Sequence, residues 1–212
     1  ISNYKELRDI PSLSSTSNLS SSFAIGLITS KQAINQVFSS SDGTGTGQFA
    51  WVNEIIWREF YKYITYHYPH VSKGKSFNPK YDLISWREDE DSFIKWCEGK
   101  TGIPIIDAAM RQLNQTKWMH NRLRMITAMF LSKNLLIDWR KGERYFMENL
   151  IDGDFCSNNG GWQWSASTGV DASPYFRIFN PITQSEKFDP DGKFIKNFVP
   201  ELIECPSNEI HN

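Results

Sequence analysis

Over residues 48–66 apolar side chains return every four positions, as Val52, Ile56, Phe60 and Ile64. That spacing puts them on one face of a helix and excludes a strand, whose faces alternate at every second residue. The stripe predicts a helix with these four side chains turned to a core. A second face of the same helix carries Glu54, Trp57, Arg58 and Tyr61. No segment of the chain sustains a two-residue alternation, and no internal repeat is present. Thr101 is expected to cap a further helix. Its Pro104 falls in the first turn, where a missing N–H costs little, and Ile105, Ile106, Ala109, Met110 and Leu113 supply its apolar face. Helices are also expected over 119–136, 143–150 and 193–199. Residues 68–90, with Pro69 and Pro79, predict loop. Residues 152–169 are too rich in Gly, Asn and Ser to predict a long helix. Residues 1–22 are polar and Ser-rich. Residues 39–47 read as a flexible linker: no strand precedes their Gly-x-Gly-x-Gly and no Lys-Ser/Thr follows it, so it is not a phosphate loop. The expected fold is all-α, one domain over residues 1–212.

Composition narrows the function classes. The 23 Lys and Arg against 24 Asp and Glu leave a net charge of −1, which excludes a globally basic nucleic-acid coat and an acidic tail. The 40% hydrophobic content of the 212 residues suffices for a sizeable core. Cys97, Cys156 and Cys205 are odd in number and widely spaced, so neither a disulfide framework nor a metal site is expected. With no signal peptide and no apolar run of membrane-spanning length, a reducing, cytoplasmic location is expected. The chain opens at Ile1 and closes at Asn212, and it reads as part of a longer protein. The unusual quantity is eight Trp. Indoles bury large areas, and they also serve in stacking and electron transfer.

Two stretches carry chemistry. On the helix after Trp118, Asn121, Arg124 and Met125 share a face. They form either a salt-bridged surface or the lining for a large polar ligand. The second stretch runs through Asp152, Gly153 and Asp154 to Asn158, Gly160, Gly161, Trp162 and Trp164. A calcium loop would need a distal Glu that is absent. The two carboxylates sit too close in sequence to flank a glycosidic bond. Recognition suits them better: carboxylates accept from ribose hydroxyls or a ring N–H, Asn158 donates or accepts, and the glycines allow close approach. Trp57 and Trp164 could wall a slot for unpaired bases.

Six segments together resemble the photolyase/cryptochrome family. They are residues 51–61 (Trp-Val-Asn-Glu-Ile-Ile-Trp-Arg-Glu-Phe-Tyr), 102–113 (Gly-Ile-Pro-Ile-Ile-Asp-Ala-Ala-Met-Arg-Gln-Leu), 118–125 (Trp-Met-His-Asn-Arg-Leu-Arg-Met), 152–154 (Asp-Gly-Asp), 158–164 (Asn-Asn-Gly-Gly-Trp-Gln-Trp) and 174–181 (Pro-Tyr-Phe-Arg-Ile-Phe-Asn-Pro). The likeness is to the helical FAD-binding domain of class I cyclobutane pyrimidine dimer photolyases, and it covers nearly the whole chain.

The resemblance implies a U-shaped FAD. Tyr4, Thr16, Ser17, Leu19 and Ser20 would hold its phosphates, with Asn18 at a variable position of that motif. Trp51, Arg58, Trp118, Asn121 and Arg124 would line the flavin and sugar, Asp152, Gly153 and Asp154 its polar atoms, and Asn158 would stand beside N5. Glu54, Trp57, Met125 and Trp164 match a slot for a flipped dimer, and Arg8, Arg122 and Gln184 match DNA-backbone contacts. The implied reaction is light-driven electron transfer from reduced FAD to the dimer. Trp162, Trp139 and Trp96 match a photoreducing relay running from flavin to surface. The implied partner is UV-damaged DNA, bound by a monomer. The family's amino-terminal α/β antenna domain is absent here, so no antenna pigment is expected on this chain. Cys156 stands where Ala is common. The alternatives are a cryptochrome-like photoreceptor that binds FAD without repair, and a flavin-free helical scaffold.

Overall fold

The computed structural model describes residues 1–39 and 45–211. Its helices are α1 (Tyr4–Leu7), α2 (Ser20–Ala24), α3 (Ser30–Ser39), α4 (Thr46–His67), α5 (Glu90–Glu98), α6 (Pro104–Thr116), α7 (Asn121–Met129), α8 (Trp139–Asn149), α9 (Phe155–Ala166), α10 (Pro181–Phe188) and α11 (Lys193–Phe198). No strand occurs among the described residues, so the all-α expectation holds. The expected linker over 39–47 falls mostly outside the described residues; Ser39 closes α3 and Thr46 opens α4.

Two hydrophobic clusters organise the chain. The larger gathers Trp96, Ile105, Ile106, Met110, Leu113, Leu123, Leu131, Trp139, Phe146 and Trp162, with α6 packed between α5, α7, α10 and α11. The smaller joins Phe23, Ala33, Trp51, Val52 and Ile55 beneath the amino-terminal helices. Helix α4 contributes Trp51, Val52 and Ile55 to the smaller cluster, and it packs on α1, α3 and α9, the last of which carries Trp162 of the larger one. This double engagement corrects the expected stripe. Val52 is buried, but Ile56 is 57% exposed, and the inward face is formed by Trp51, Val52 and Ile55. A helix held by neighbours on two flanks buries adjacent positions rather than one four-residue ladder.

Local boundaries also differ from expectation. Thr101 does not cap α6; Ile103 stands at its N-cap. Asp107, in the first turn, reaches back to accept from Thr101 N at 2.7 Å, from Thr101 Oγ1 at 2.7 Å and from Gly102 N at 2.9 Å. One buried carboxylate thus ties the loop that precedes the helix to its first turn. The helix expected over 119–136 begins at Asn121 and changes to a π-helical turn over Phe130–Asn134. The helix expected over 143–150 begins earlier, at Trp139, because Asp138 caps it by accepting from Arg140 N at 3.0 Å. The loop expected over 68–90 holds two short 3₁₀ turns, Pro69–Lys73 and Pro79–Leu83, and reaches the start of α5. Helices α1, α2, α3, α5 and α10 had no counterpart in the sequence reading.

The largest departure is α9, twelve residues of helix where Gly, Asn and Ser predicted none. Asp154 caps it, accepting from Ser157 N at 2.9 Å. Its glycines are contact points. A Cβ at Gly160 would overlap the Tyr61 ring of α4, and on facing α8 a Cβ at Gly142 would overlap the Trp162 indole. Packing on α4, α7 and α8 outweighs a propensity deficit of about 1 kcal/mol per glycine. Gly160→Ala is therefore expected to destabilise the chain by about 1–3 kcal/mol through overpacking. Gly161→Ala, whose Cβ meets nothing within 4 Å, should be neutral or stabilising by up to about 1 kcal/mol. Thermal denaturation of the two variants checks the pair.

Candidate functional site

The amino-terminal segment forms one wall of the site. Asn18 adopts a left-handed backbone (φ 53°), which a short polar side chain tolerates, and its Oδ1 accepts from Thr16 Oγ1 at 3.2 Å. That turn presents Thr16, Ser17, Leu19 and Ser20 together. Ser17 accepts from the Trp51 indole N–H at 3.3 Å, and Ser20 accepts from that of Trp118 at 3.4 Å. Tyr4, Thr16, Ser17, Leu19 and Trp51 line a cavity of about 550 Å³. Thr16, Asn18 and Trp118 line a second, of about 460 Å³, closed on its other side by α11.

A third cavity, of about 150 Å³, lies between α7, α8 and α9. Asn121, Arg124, Met125, Asp152, Gly153, Asp154, Asn158 and Trp162 line it. Here the structure brings together two stretches that the sequence held apart. Asn121, Arg124 and Met125 form its lining rather than a salt-bridged outer surface. Asp152, its side chain only 1% exposed, accepts twice from Arg124 Nη2, at 2.9 and 2.7 Å. Arg124 also donates from Nε to Met119 O at 2.8 Å, so the guanidinium is fixed at both ends. Removing one partner of such a buried pair costs about 3–5 kcal/mol. Asp154 has two duties: besides capping α9 it accepts from Arg58 Nη2 at 3.3 Å. Arg58 donates further to Phe23 O at 3.0 Å and thereby links α4, α2 and the start of α9.

Asn158 donates from Nδ2 to the carbonyl of Glu143 at 2.9 Å. A carbonyl is only an acceptor, so this bond orients the amide and leaves its oxygen available to the cavity. Behind it Asn159 donates to Glu143 Oε1 at 2.7 Å and accepts from Gln163 at 3.0 Å. Gln163 in turn accepts from Phe77 N at 2.8 Å. The sequence reading missed Glu143, Asn159 and Gln163; only their burial beside one another reveals the network. Burial pushes the Glu143 carboxyl above its ordinary range, against the lowering influence of Asn159, Arg140 and Arg144.

Met125 lines the third cavity and lies 3.9 Å from Arg122 Nη1. Glu54 is ion-paired to Arg8. Trp57 is partly exposed and meets Phe60 and Tyr61; no ring contact joins it to Trp164, which is half-buried on α9. Gln184 is half-buried on α10, whose Phe188 ring carries the Arg122 guanidinium at 4.6 Å. His120 caps α7 through Nδ1, accepting from Arg122 N at 3.2 Å, and burial pushes its pKa down to about 4.

The tryptophans need one correction. Trp96 is 0% exposed, donates to Thr127 O at 3.2 Å and meets Trp162 edge-on at 6.0 Å. It is an interior residue and cannot be the surface end of a relay. Trp139 is equally buried. Trp86, packed half-buried against the same core, is the tryptophan with access to solvent there. It lies in the stretch read as loop, where nothing in the sequence marks it. The three cysteines are free, no cluster of metal-binding residues occurs among the described residues, and no described helix is long and apolar enough to cross a membrane.

The donor set fits a large, bent ligand with a polar tail and a planar ring. Hydroxyls surround the larger cavities. Around the small one stand two carboxylates and an oriented amide, and the buried Trp162 N–H there has no protein partner. Hydroxyls, paired carboxylates and an oriented amide within a helical fold suit a protein of the nucleotide-cofactor class. Comparison with known proteins makes the class specific: residues 51–212 match the FAD binding domain of DNA photolyase. The chain is 54% identical to the deoxyribodipyrimidine photo-lyase of Vibrio cholerae over 213 residues, which covers 100% of this chain and 45% of that protein. A bacterial class III photolyase from Agrobacterium tumefaciens superposes with a TM-score of 0.93 at 47% identity, over 99% of this chain and 44% of its own. A Synechocystis cryptochrome superposes at 0.90 with 34% identity, over 99% of this chain and 44% of its own. The chain belongs to the DNA photolyase family and spans less than half the length of the relatives it matches.

The raised Glu143 carboxyl has a consequence for stability. Its folded pKa lies above its unfolded one, so the folded state holds the proton longer, and stability falls as pH rises from the ordinary carboxyl range through the folded pKa. Glu143→Gln keeps an acceptor for Asn159 and removes the charge. It is expected to melt higher than the parent at pH 8 and to match it more closely at pH 4, measured by thermal scans across that range.

Proposed function

We propose that the chain is the FAD- and DNA-binding part of a light-dependent deoxyribodipyrimidine photo-lyase that splits cyclobutane pyrimidine dimers. The observation that carries this reading is that Met125 lines the same cavity as Asn158, Asp152 and Trp162 and also touches Arg122. The ring-binding site therefore opens toward the face that bears Arg8, Glu54 and Arg122. FAD, when bound, supplies light absorption and the electron for the dimer.

The residues of the chain do the rest. Thr16, Ser17, Leu19 and Ser20 gather hydroxyl and backbone donors for phosphates, with Tyr4, Trp51 and Trp118 beside them. Arg58 and Arg124 neutralise Asp154 and Asp152, so two carboxylates can stand at a ring without net charge. Asn121 lines that wall, and Gly153 keeps it close. Asn158, its amide oriented by Glu143, would present its oxygen as an acceptor to the flavin ring. Trp57 and Trp164 sandwich the flipped dimer, Glu54 hydrogen-bonds its base edge, and Arg8, Arg122 and Gln184 hold the strand around it. A flipped lesion costs less to unstack than a sound pair, which gives selectivity. Trp162 and Trp139 conduct inward from Trp86, which replaces Trp96 as the outer end because an electron entering from solvent needs an exposed indole.

The likeness to a cryptochrome supports a second reading, an FAD-binding photoreceptor without repair. The two separate in one assay. The chain, loaded with reduced FAD, is mixed with a dimer-containing oligonucleotide under blue light. Recovery of pyrimidine absorbance, absent in the dark, is expected; a bound flavin spectrum without recovery favours the photoreceptor. In the same assay Trp164→Ala should weaken lesion binding and leave FAD bound, whereas loss of FAD would remove Trp164 from the slot. Trp86→Phe should abolish photoreduction of oxidised FAD with external thiol while leaving repair by pre-reduced FAD unchanged. Trp96→Phe should leave both intact. Absorbance spectra under illumination distinguish the two variants.

A further inference from the structure

Asp9 is an acid placed among the cations expected to meet DNA. It accepts from Arg122 Nη2 at 2.7 Å and from Arg122 Nε at 3.3 Å, and it lies 3.8 Å from Arg8 Nε. Arg8 is paired on its other side to Glu54. The four side chains therefore form a continuous chain of alternating charge, Glu54, Arg8, Asp9, Arg122, whose net charge is zero. All four are half-buried, which weakens solvent screening and holds them in one geometry. His120 lies near Asp9 but is neutral at physiological pH, so Asp9 is neutralised by the arginines alone. Arg122 spends its Nε and Nη2 donors on Asp9, turns Nη1 toward Met125, and rests on the Phe188 ring. In this arrangement a phosphate must compete with Asp9 for two of the Arg122 donors, and Arg8 is tied to one carboxylate oxygen of Glu54 with Asp9 close by.

We infer that Asp9 is a specificity-determining residue: by closing the Glu54–Arg8–Asp9–Arg122 chain it competes with the phosphates of undamaged DNA for both arginines. The inference rests on the photolyase reading above. Sound duplex offers phosphates but nothing for Glu54, so it must break ion pairs with partial compensation. A flipped lesion engages Glu54 directly, which releases Arg8 while phosphates take up Arg122. Two pairs are then broken and two contacts made, and Asp9 keeps Arg8 as its partner. Discrimination arises from repulsion of the wrong partner as well as attraction of the right one.

The test is binding of a labelled duplex, with and without one cyclobutane dimer, over a range of salt concentrations, using the FAD-loaded chain. Asp9→Asn is expected to raise affinity for undamaged DNA and to lower the damaged-to-undamaged ratio. It should also steepen the log–log salt slope for undamaged DNA by about 0.9 for each arginine released. Asp9→Glu should keep the parental slope and ratio. Adding Arg122→Gln to Asp9→Asn should return the slope toward the parental value. An unchanged slope and ratio in Asp9→Asn, or an equal loss of affinity for both duplexes, would overturn the proposal. Loss of bound FAD in that variant would make Asp9 a structural residue and would also overturn it. If the unmutated chain shows no preference for the dimer, the photolyase reading itself fails instead.

Discussion

Helix α9 exists because it is enclosed. Its own residues, with adjacent glycines and asparagines, would not hold a helix in water, yet it packs on α4, α7 and α8 at once. The glycines that weaken it locally are what permit the enclosure, since Gly160 admits the Tyr61 ring and Gly142 admits the Trp162 indole. Close approach then aligns the remainder. Asp154 caps the helix where Arg58 can reach it, Asn158 meets Glu143, and Trp162 closes the ring cavity. The helical part of the site is held rigid by packing, and the Asp152–Asp154 loop is held by Arg124 and Arg58.

Charge is distributed by a consistent rule. Each acid facing the ring cavity has an arginine within hydrogen-bond distance, Asp152 with Arg124 and Asp154 with Arg58. Around Arg8 and Arg122 the rule extends to a chain of four groups. A net charge of −1 for the whole molecule thus conceals strongly charged but internally balanced regions. Balanced, half-buried pairs are costly to break singly.

The aromatic excess divides by environment. Trp96, Trp139 and Trp162 are core residues, with Phe146 stacked on Trp96 at 5.9 Å and edge-on to Trp162 at 5.0 Å. Trp51 and Trp118 bond to serines of the amino-terminal turn. Trp57 remains partly exposed, as a residue awaiting a stacked partner would be. One residue type therefore serves packing and hydrogen bonding and also stands at the surface, and only burial separates these environments.

Sequence by itself determined the helical class, the apolar face of α6, and the residues that gather at the ring cavity, because those depend on short-range periodicity and on motifs of fixed spacing. It also located α11 to within one residue. It misplaced the inward face of α4, the cap of α6 and the whole of α9, and it assigned Trp96 to a surface it never reaches. Each of these was decided by tertiary structure for the same physical reason. Burial is a property of what packs against a residue, and a helix pressed by two or three neighbours exposes and hides faces that its own period does not specify. The pairing of Asp9 with Arg122, residues 113 apart in sequence, belongs to the same class: charge is legible in a sequence, but the partner that neutralises it is fixed only when distant helices meet.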